Sequence, residues 1–267
     1  MRRLTHIRST PGWSALAGVV LLCAGCARVP GIPTEAADVI RPDKQLDFHL
    51  LYTQNCSGCH GDNGRGGAAI PLNNPAYLAL AGPVNLRTAT AKGTPGTMMP
   101  AFAATSGGML TEQQIDALVQ GMLREWSRPA EFAGVTLPPY ASTTPGNPSD
   151  GQKSYIAACA RCHGADGTGI KTPAPTATGQ QAATPHSIVD PSYLALLNDQ
   201  SLRSYILAGH LDANGPDWRG YIAGHPLAPQ QIADIVAWIA AHRQPIAAQS
   251  NPNPSAASPG LTNKESQ

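Results

Sequence analysis

The chain has 267 residues, including 27 Gly, 25 Pro and only 5% aromatic residues, and its 42% apolar share is inflated by 41 alanines that each bury little area. Charged residues make up 13% and the formal net charge is +1, which excludes a highly charged disordered protein. At roughly 100–200 residues per domain, this length predicts two domains. Both are short of the large side chains that close a core, so a bound cofactor is the natural filler.

The first segment in chain order reads as an export signal. Arg2, Arg3 and Arg8 form a basic start without acids, and Trp13–Gly25 is an apolar or small run of 13 residues. That is too short to span a bilayer comfortably, so a secretory signal is predicted over 1–25 rather than a transmembrane helix. The segment ends Cys23-Ala24-Gly25-Cys26, which resembles the lipobox of bacterial lipoproteins, with Cys23 where that family usually has Leu. The resemblance implies that Cys26 is lipidated and becomes the mature N-terminus, anchored on the periplasmic side of a bacterial membrane. Cleavage before Cys26 moves the formal charge from +1 to −2 and leaves no basic stripe, so nucleic acid is not an expected partner.

The other four cysteines lie in one motif written twice: Cys56-Ser57-Gly58-Cys59-His60 and Cys159-Ala160-Arg161-Cys162-His163. C-x-x-C-H is the attachment signature of haem c. The two thiols add to the haem vinyl groups as thioethers, and the following imidazole reaches the iron from the same side as proximal ligand. A four-cysteine zinc site needs its pairs some 15–20 residues apart; here the offset is 103. A thioredoxin-like pair expects a βαβ context, and disulfides need no following His. The expected cofactors are therefore two haem c groups, held by Cys56, Cys59, Cys159 and Cys162, with His60 and His163 on iron.

The chain thus resembles the class I cytochrome c family in tandem. The resemblance implies a mainly α fold: two cytochrome c domains, each a small helical bundle wrapped around a covalently bound haem. In that family the first helix ends in C-x-x-C-H, a loop delivers a sixth ligand (commonly Met), and the last helix crosses the first. The expected domains span 42–128 and 150–245, joined by a Pro-rich linker at 129–149 and followed by a disordered tail at 246–267.

An internal repeat ties the two copies together. Asn74-Pro75-Ala76-Tyr77-Leu78-Ala79-Leu80 aligns with Asp190-Pro191-Ser192-Tyr193-Leu194-Ala195-Leu196 at an offset of 116, which continues through Gly93 over Gly209 and Phe102 over Trp218. In each copy Asn or Asp caps a helix that starts on Pro. The 13 residues by which this offset exceeds 103 lie in a loop around 174–183 of the second copy. The closing helices also match: Thr111 and Gln114 read as a capping box, and Pro229 opens the second. Ile232, Ile235, Val236 and Ile239 share one helical face.

The copies differ at the sixth ligand. Met98-Met99-Pro100-Ala101-Phe102 resembles the family's ligand loop and puts Met99 in the ligand position, with Met98 as the alternative. In the second copy Gly215 stands there, and no Met follows Met122. An open or weakly ligated second site is the favoured expectation; His210, five residues earlier, is the next, ahead of His225 and His186. The resemblance implies a membrane-anchored dihaem cytochrome that passes electrons between redox partner proteins or within a respiratory complex, and not an enzyme. The alternative is a dihaem oxidoreductase or haem-based sensor at the second site, for which Asp212, Asp217 and His210 are the nearby acid–base candidates.

Overall fold

The computed structural model describes residues 40–170, 187–210 and 215–244. The signal, Cys26, the 174–183 loop, His186, Asp212 and the tail lie outside them. Residues up to Gln45 form a separate unit, of which the 3₁₀ turn Pro42–Lys44 is described. From Leu46 onward the chain is one unit.

This second unit is helical, and no named strand forms among the described residues. Its first half holds α1 (Phe48–Asn55), the short α2 (Ser57–His60), α3 (Pro75–Lys92) and α4 (Glu112–Trp126). The second half repeats the order with α5 (Pro148–Ala158), the short α6 (Ala160–His163), α7 (Pro191–Ala195), α8 (Asp199–Ala208) and α9 (Pro229–Ala240). The α7–α8 pair is the counterpart of α3. Pro83 has no N–H and bars Gly82 from the helical region, so Gly82 sits at φ 61°, ψ 174° and breaks α3. At the same register, 116 residues on, Asn198 caps α8 through its side chain, accepting from the Ser201 N–H at 2.8 Å.

Caps form where the sequence predicts them. Asn74 Oδ1 accepts from the Ala76 and Tyr77 N–H groups, and Asp190 Oδ1 from those of Ser192 and Tyr193. Thr111 and Gln114 form the reciprocal box at the start of α4. At α9 only half of that box remains, because Ala228 has no hydroxyl: Gln231 Oε1 accepts from the Ala228 N–H at 2.9 Å.

In each half the last helix packs across the first, α4 on α1 and α9 on α5. Close approach is bought by glycine: a Cβ on Gly121 would collide with the Phe48 ring, and one on Gly151 with the Asp234 carbonyl. Ile232, Ile235, Val236 and Ile239 are all buried on α9, as their spacing predicts.

The two halves share a seam. Helices α3 and α8 pack together, and Ala76 and Leu80 of α3 belong to the second half's apolar core, while Ala208 belongs to the first's. Across the seam Asn74 Nδ2 donates to the Ala208 carbonyl at 2.9 Å, and Asn198 Nδ2 to that of Pro95 at 2.8 Å. The segment after α4 lies along the second half. Phe132 stacks on Trp218 at 6.3 Å, and buried Arg203 donates to the carbonyls of Pro139 and Tyr140.

Candidate functional site

Both cysteine–histidine motifs fold alike. The preceding helix ends one residue before the first cysteine, and that cysteine (Cys56, φ −120°; Cys159, φ −117°) kinks the chain into a four-residue helical turn. The turn ends on His60 or His163, whose N–H donates at 3.0 Å to the first cysteine's carbonyl. One member of each pair is exposed (Cys59, Cys162) and one half-buried (Cys56, Cys159), all four as free thiols. Burial, and then the neighbouring cysteine, push the Cys56 and Cys159 thiols up to about 12. A disulfide-exchange pair needs a lowered thiol pKa, and this environment acts in the opposite direction on Cys56 and Cys159.

A tyrosine supports each turn, and sequence reasoning missed both. Tyr52 Oη donates to the Gly61 carbonyl at 2.9 Å and Tyr155 Oη to that of Gly164 at 2.7 Å, in each case the residue just after the histidine. Their signal is in the sequence: each lies one helical turn before the first cysteine, at the same offset of 103. A tryptophan of the closing helix meets each ring, Trp126 edge-on at 5.1 Å and Trp238 stacked at 4.1 Å.

In the first half His60 is buried, with Nδ1 at 2.8 Å from the Ile70 carbonyl. That contact assigns the ring proton to Nδ1 and leaves Nε2 as the nitrogen with a lone pair that could bind a metal. Burial holds His60 below the ordinary imidazole range, in the neutral form a ligand requires. The loop that carries Met99 is a hairpin: Thr94 N–H donates to the Met99 carbonyl at 3.1 Å, and Thr97 Oγ1 accepts from the Met99 N–H. Met99 is half-buried, whereas Met98 is 76% exposed.

In the second half a cleft of about 470 Å³, part of it open to solvent, lies beside the motif. Cys159 and His163 stand in its lining with Leu202, Ile206, Ile235 and Ile239. Its walls are largely apolar, and beside a thiol and an imidazole they suit a flat apolar macrocycle with a metal. His210 and Tyr193, Tyr205 and Tyr221 also line it. Those three tyrosines were not anticipated as lining: Tyr193 matches Tyr77 in the repeat, Tyr205 falls over Ala89, and Tyr221 lies beyond the aligned stretch. Burial raises all three above the ordinary tyrosine range. His210 lies in stacked contact with Tyr205, and burial, then His163, lower its pKa. Other acid–base candidates lie elsewhere. Asp217 is engaged by Arg219 at 2.6 Å, and His225 is exposed.

These two centres coincide with two family matches. The family described as cytochrome c matches residues 148–243, and that described as cytochrome c oxidase, cbb3-type, subunit III, matches 46–120. Each match holds one cysteine–histidine motif. The chain carries two cytochrome c domains, in line with the class I c-type cytochrome family. Two such domains imply two covalently bound haem c groups, and electron transfer is the function they support. A curated relative, the cbb3-type cytochrome c oxidase subunit CcoP of Azospirillum sp. (strain B510), is 27% identical over 159 residues, 53% of this cytochrome. The cytochrome spans about half of that relative, 49%. Among solved structures, a dihydro-haem d1 dehydrogenase NirN in complex with DHE is 30% identical, covering 36% of this chain and 18% of that one with a TM-score of 0.26. The Kuenenia stuttgartiensis reducing HAO-like protein complex Kustc0457/Kustc0458 is 17% identical, covering 77% and 98% with a TM-score of 0.44.

Proposed function

We propose that this cytochrome is a membrane-anchored dihaem electron-transfer protein, working at the periplasmic side of a bacterial membrane as a carrier or as the cytochrome subunit of a larger complex. The observation that carries this reading is the same cysteine–histidine–tyrosine constellation built twice, at an offset of 103, in halves joined by a buried seam. In this reading Cys56 and Cys59 hold the first haem and Cys159 and Cys162 the second, with His60 and His163 as proximal ligands. Haem iron, when bound, supplies one-electron redox chemistry. Ile70 fixes the His60 ring, and Tyr52 and Tyr155 fix the backbone just beyond each histidine. Met99 is the distal ligand of the first haem; a neutral, soft thioether there raises the reduction potential.

The name of the Azospirillum relative favours the complex-subunit form. The anchor in this reading is lipid on Cys26; no described helix is long and apolar enough to cross a membrane. An oxidoreductase at the second haem needs a group that trades protons near neutral pH. Asp217 is engaged by Arg219 and burial raises the three lining tyrosines, which leaves His210 as the acid–base candidate in the cleft; the duplicated haem-attachment motifs make the electron-transfer reading the stronger.

Haem quantification and a redox titration of the exported holoprotein test this. Two c-type haems per chain, each taking one electron reversibly at its own potential, are expected. A single haem per chain overturns the dihaem reading, and steady peroxide turnover overturns the electron-transfer one.

A further inference from the structure

The second centre has a feature that the alignment on Met99 conceals. In both copies the same two aligned positions are hydrogen-bonded to each other through their backbones. In the first half Thr94 N–H donates to the Met99 carbonyl at 3.1 Å; in the second, Gly215 N–H donates to the His210 carbonyl at 2.9 Å. Thr94 aligns with His210 and Met99 with Gly215, so in each copy these two positions are direct neighbours. A ligand moved from one position to the other stays within the same hydrogen-bonded pair. Gly215 accommodates this move. A Cβ there would already lie 3.1 Å from the His210 backbone nitrogen and 3.2 Å from its Cβ, so a side chain at 215 would crowd His210.

The His210 ring lines the cleft with His163, their centroids 6.0 Å apart and their planes at 52°. Two imidazoles on one metal need about 6 Å between centroids, from two metal–nitrogen bonds of about 2.0–2.1 Å and half a ring on each side. The Tyr205 ring stacks on His210 at 5.4 Å and 14°, which holds the imidazole in place.

We propose that His210 is the distal axial ligand of the second haem, giving a bis-histidine centre where the sequence alone favours an open one. The inference rests on the reading of His163 as proximal ligand. Two consequences follow. The second iron is six-coordinate and closed to small molecules, and its potential lies below that of the His60/Met99 centre, since Met raises the potential relative to a second imidazole. The two halves then form a step down in potential within one packed unit.

EPR of the oxidised holoprotein, with haem counted on the same sample and CO added after reduction, tests this. Two haems per chain, both low-spin, and no CO uptake by the second are expected. His210→Ala should turn one haem in two high-spin and CO-binding, while the methionine–iron charge-transfer band of the first is unchanged. His210→Met should restore a six-coordinate second haem at a higher potential. A wild-type protein with two haems, one already high-spin or CO-binding, overturns the assignment, as does an alanine variant with both haems still low-spin. A single haem per chain would instead overturn the underlying reading of the second motif.

Discussion

Removing one oxygen from the second centre, by Tyr155→Phe, isolates what the tyrosine under each motif contributes. The Tyr155 side chain is fully buried and its ring stacks on Trp238 at 4.1 Å, an arrangement phenylalanine keeps. What is lost is the 2.7 Å hydrogen bond to the Gly164 carbonyl, next to His163. A hydrogen bond contributes about 0.5–1.5 kcal/mol net, and an acceptor left without a donor costs up to about 3 kcal/mol when water cannot reach it. Gly164 is only half-buried, so water replaces part of the loss. The expected cost is about 1–2 kcal/mol. For a unit of this size 1 kcal/mol moves Tm by about 2–4 °C, which gives a fall of about 2–8 °C.

The assay is thermal unfolding of the holoprotein by circular dichroism at neutral pH. Tyr52→Phe, with its 2.9 Å bond to the Gly61 carbonyl, should behave alike, while Ser57→Ala serves as a control. The Ser57 hydroxyl also donates to a carbonyl, that of Thr53 at 2.8 Å, but at an exposed position where about 0.5 kcal/mol or less is expected. If both tyrosine variants melt within the control's margin, the tyrosines do not brace the motifs. If they melt early but Tyr155→Ala melts no earlier still, the ring stack contributes nothing, against an expected total of about 3–5 kcal/mol for truncating a buried aromatic to alanine.

Three further outcomes are expected. Met99→Ala abolishes the single methionine–iron charge-transfer band of the oxidised protein, whereas Met98→Ala keeps it, since Met98 is exposed; a band that survives the first substitution removes Met99 from iron. Asn74→Ala loses a helix cap worth about 0.5–2 kcal/mol and leaves the buried Ala208 carbonyl without its donor at about 1–3 kcal/mol, so a fall of about 2–4 kcal/mol in denaturant unfolding is expected. A change under about 0.5 kcal/mol would show that the seam is not held there. Burial raises Tyr52, Tyr155, Tyr205 and Tyr221, so their folded pKa values exceed the unfolded value near 10. Their contribution is therefore complete below about pH 10 and lost as pH climbs through the folded values: tyrosinate absorbance of the native protein should lag that of the denatured protein, and coincident titrations would refute the burial argument.

The fold was legible where local chemistry decides it. Asn74 and Asp190 before proline, the Thr111 box and the apolar face of α9 each act within one helical turn, and each forms as the sequence predicts. The break in α3 could have been read from Gly82-Pro83, but its counterpart at Asn198-Asp199 shares no residue with it; only the common offset reveals that two different local devices serve one bend. The seam was not legible at all. Asn74 and Ala208 are 134 positions apart, and nothing local distinguishes a capping asparagine from one whose amide also reaches another half.

At the second centre the limit of the sequence is physical rather than statistical. An alignment compares side chains at equal register, and at Met99 it finds Gly215, from which an empty position follows. A backbone hydrogen bond, though, brings two registers to one place, and the bond from Gly215 to His210 makes these positions neighbours in space. Losing a side chain at one end is then what admits a larger one at the other, so Gly215 reads as the condition for His210 rather than as a vacancy. The same logic sets the direction of divergence: restoring Met at 215 while His210 stays would crowd two ligands into a space that already leaves a Cβ only 3.1 Å from the histidine backbone. Gly215→Met alone should therefore weaken the holoprotein, and Gly215→Met with His210→Thr should recover it with a second methionine band; a single variant as stable as the parent would break the argument.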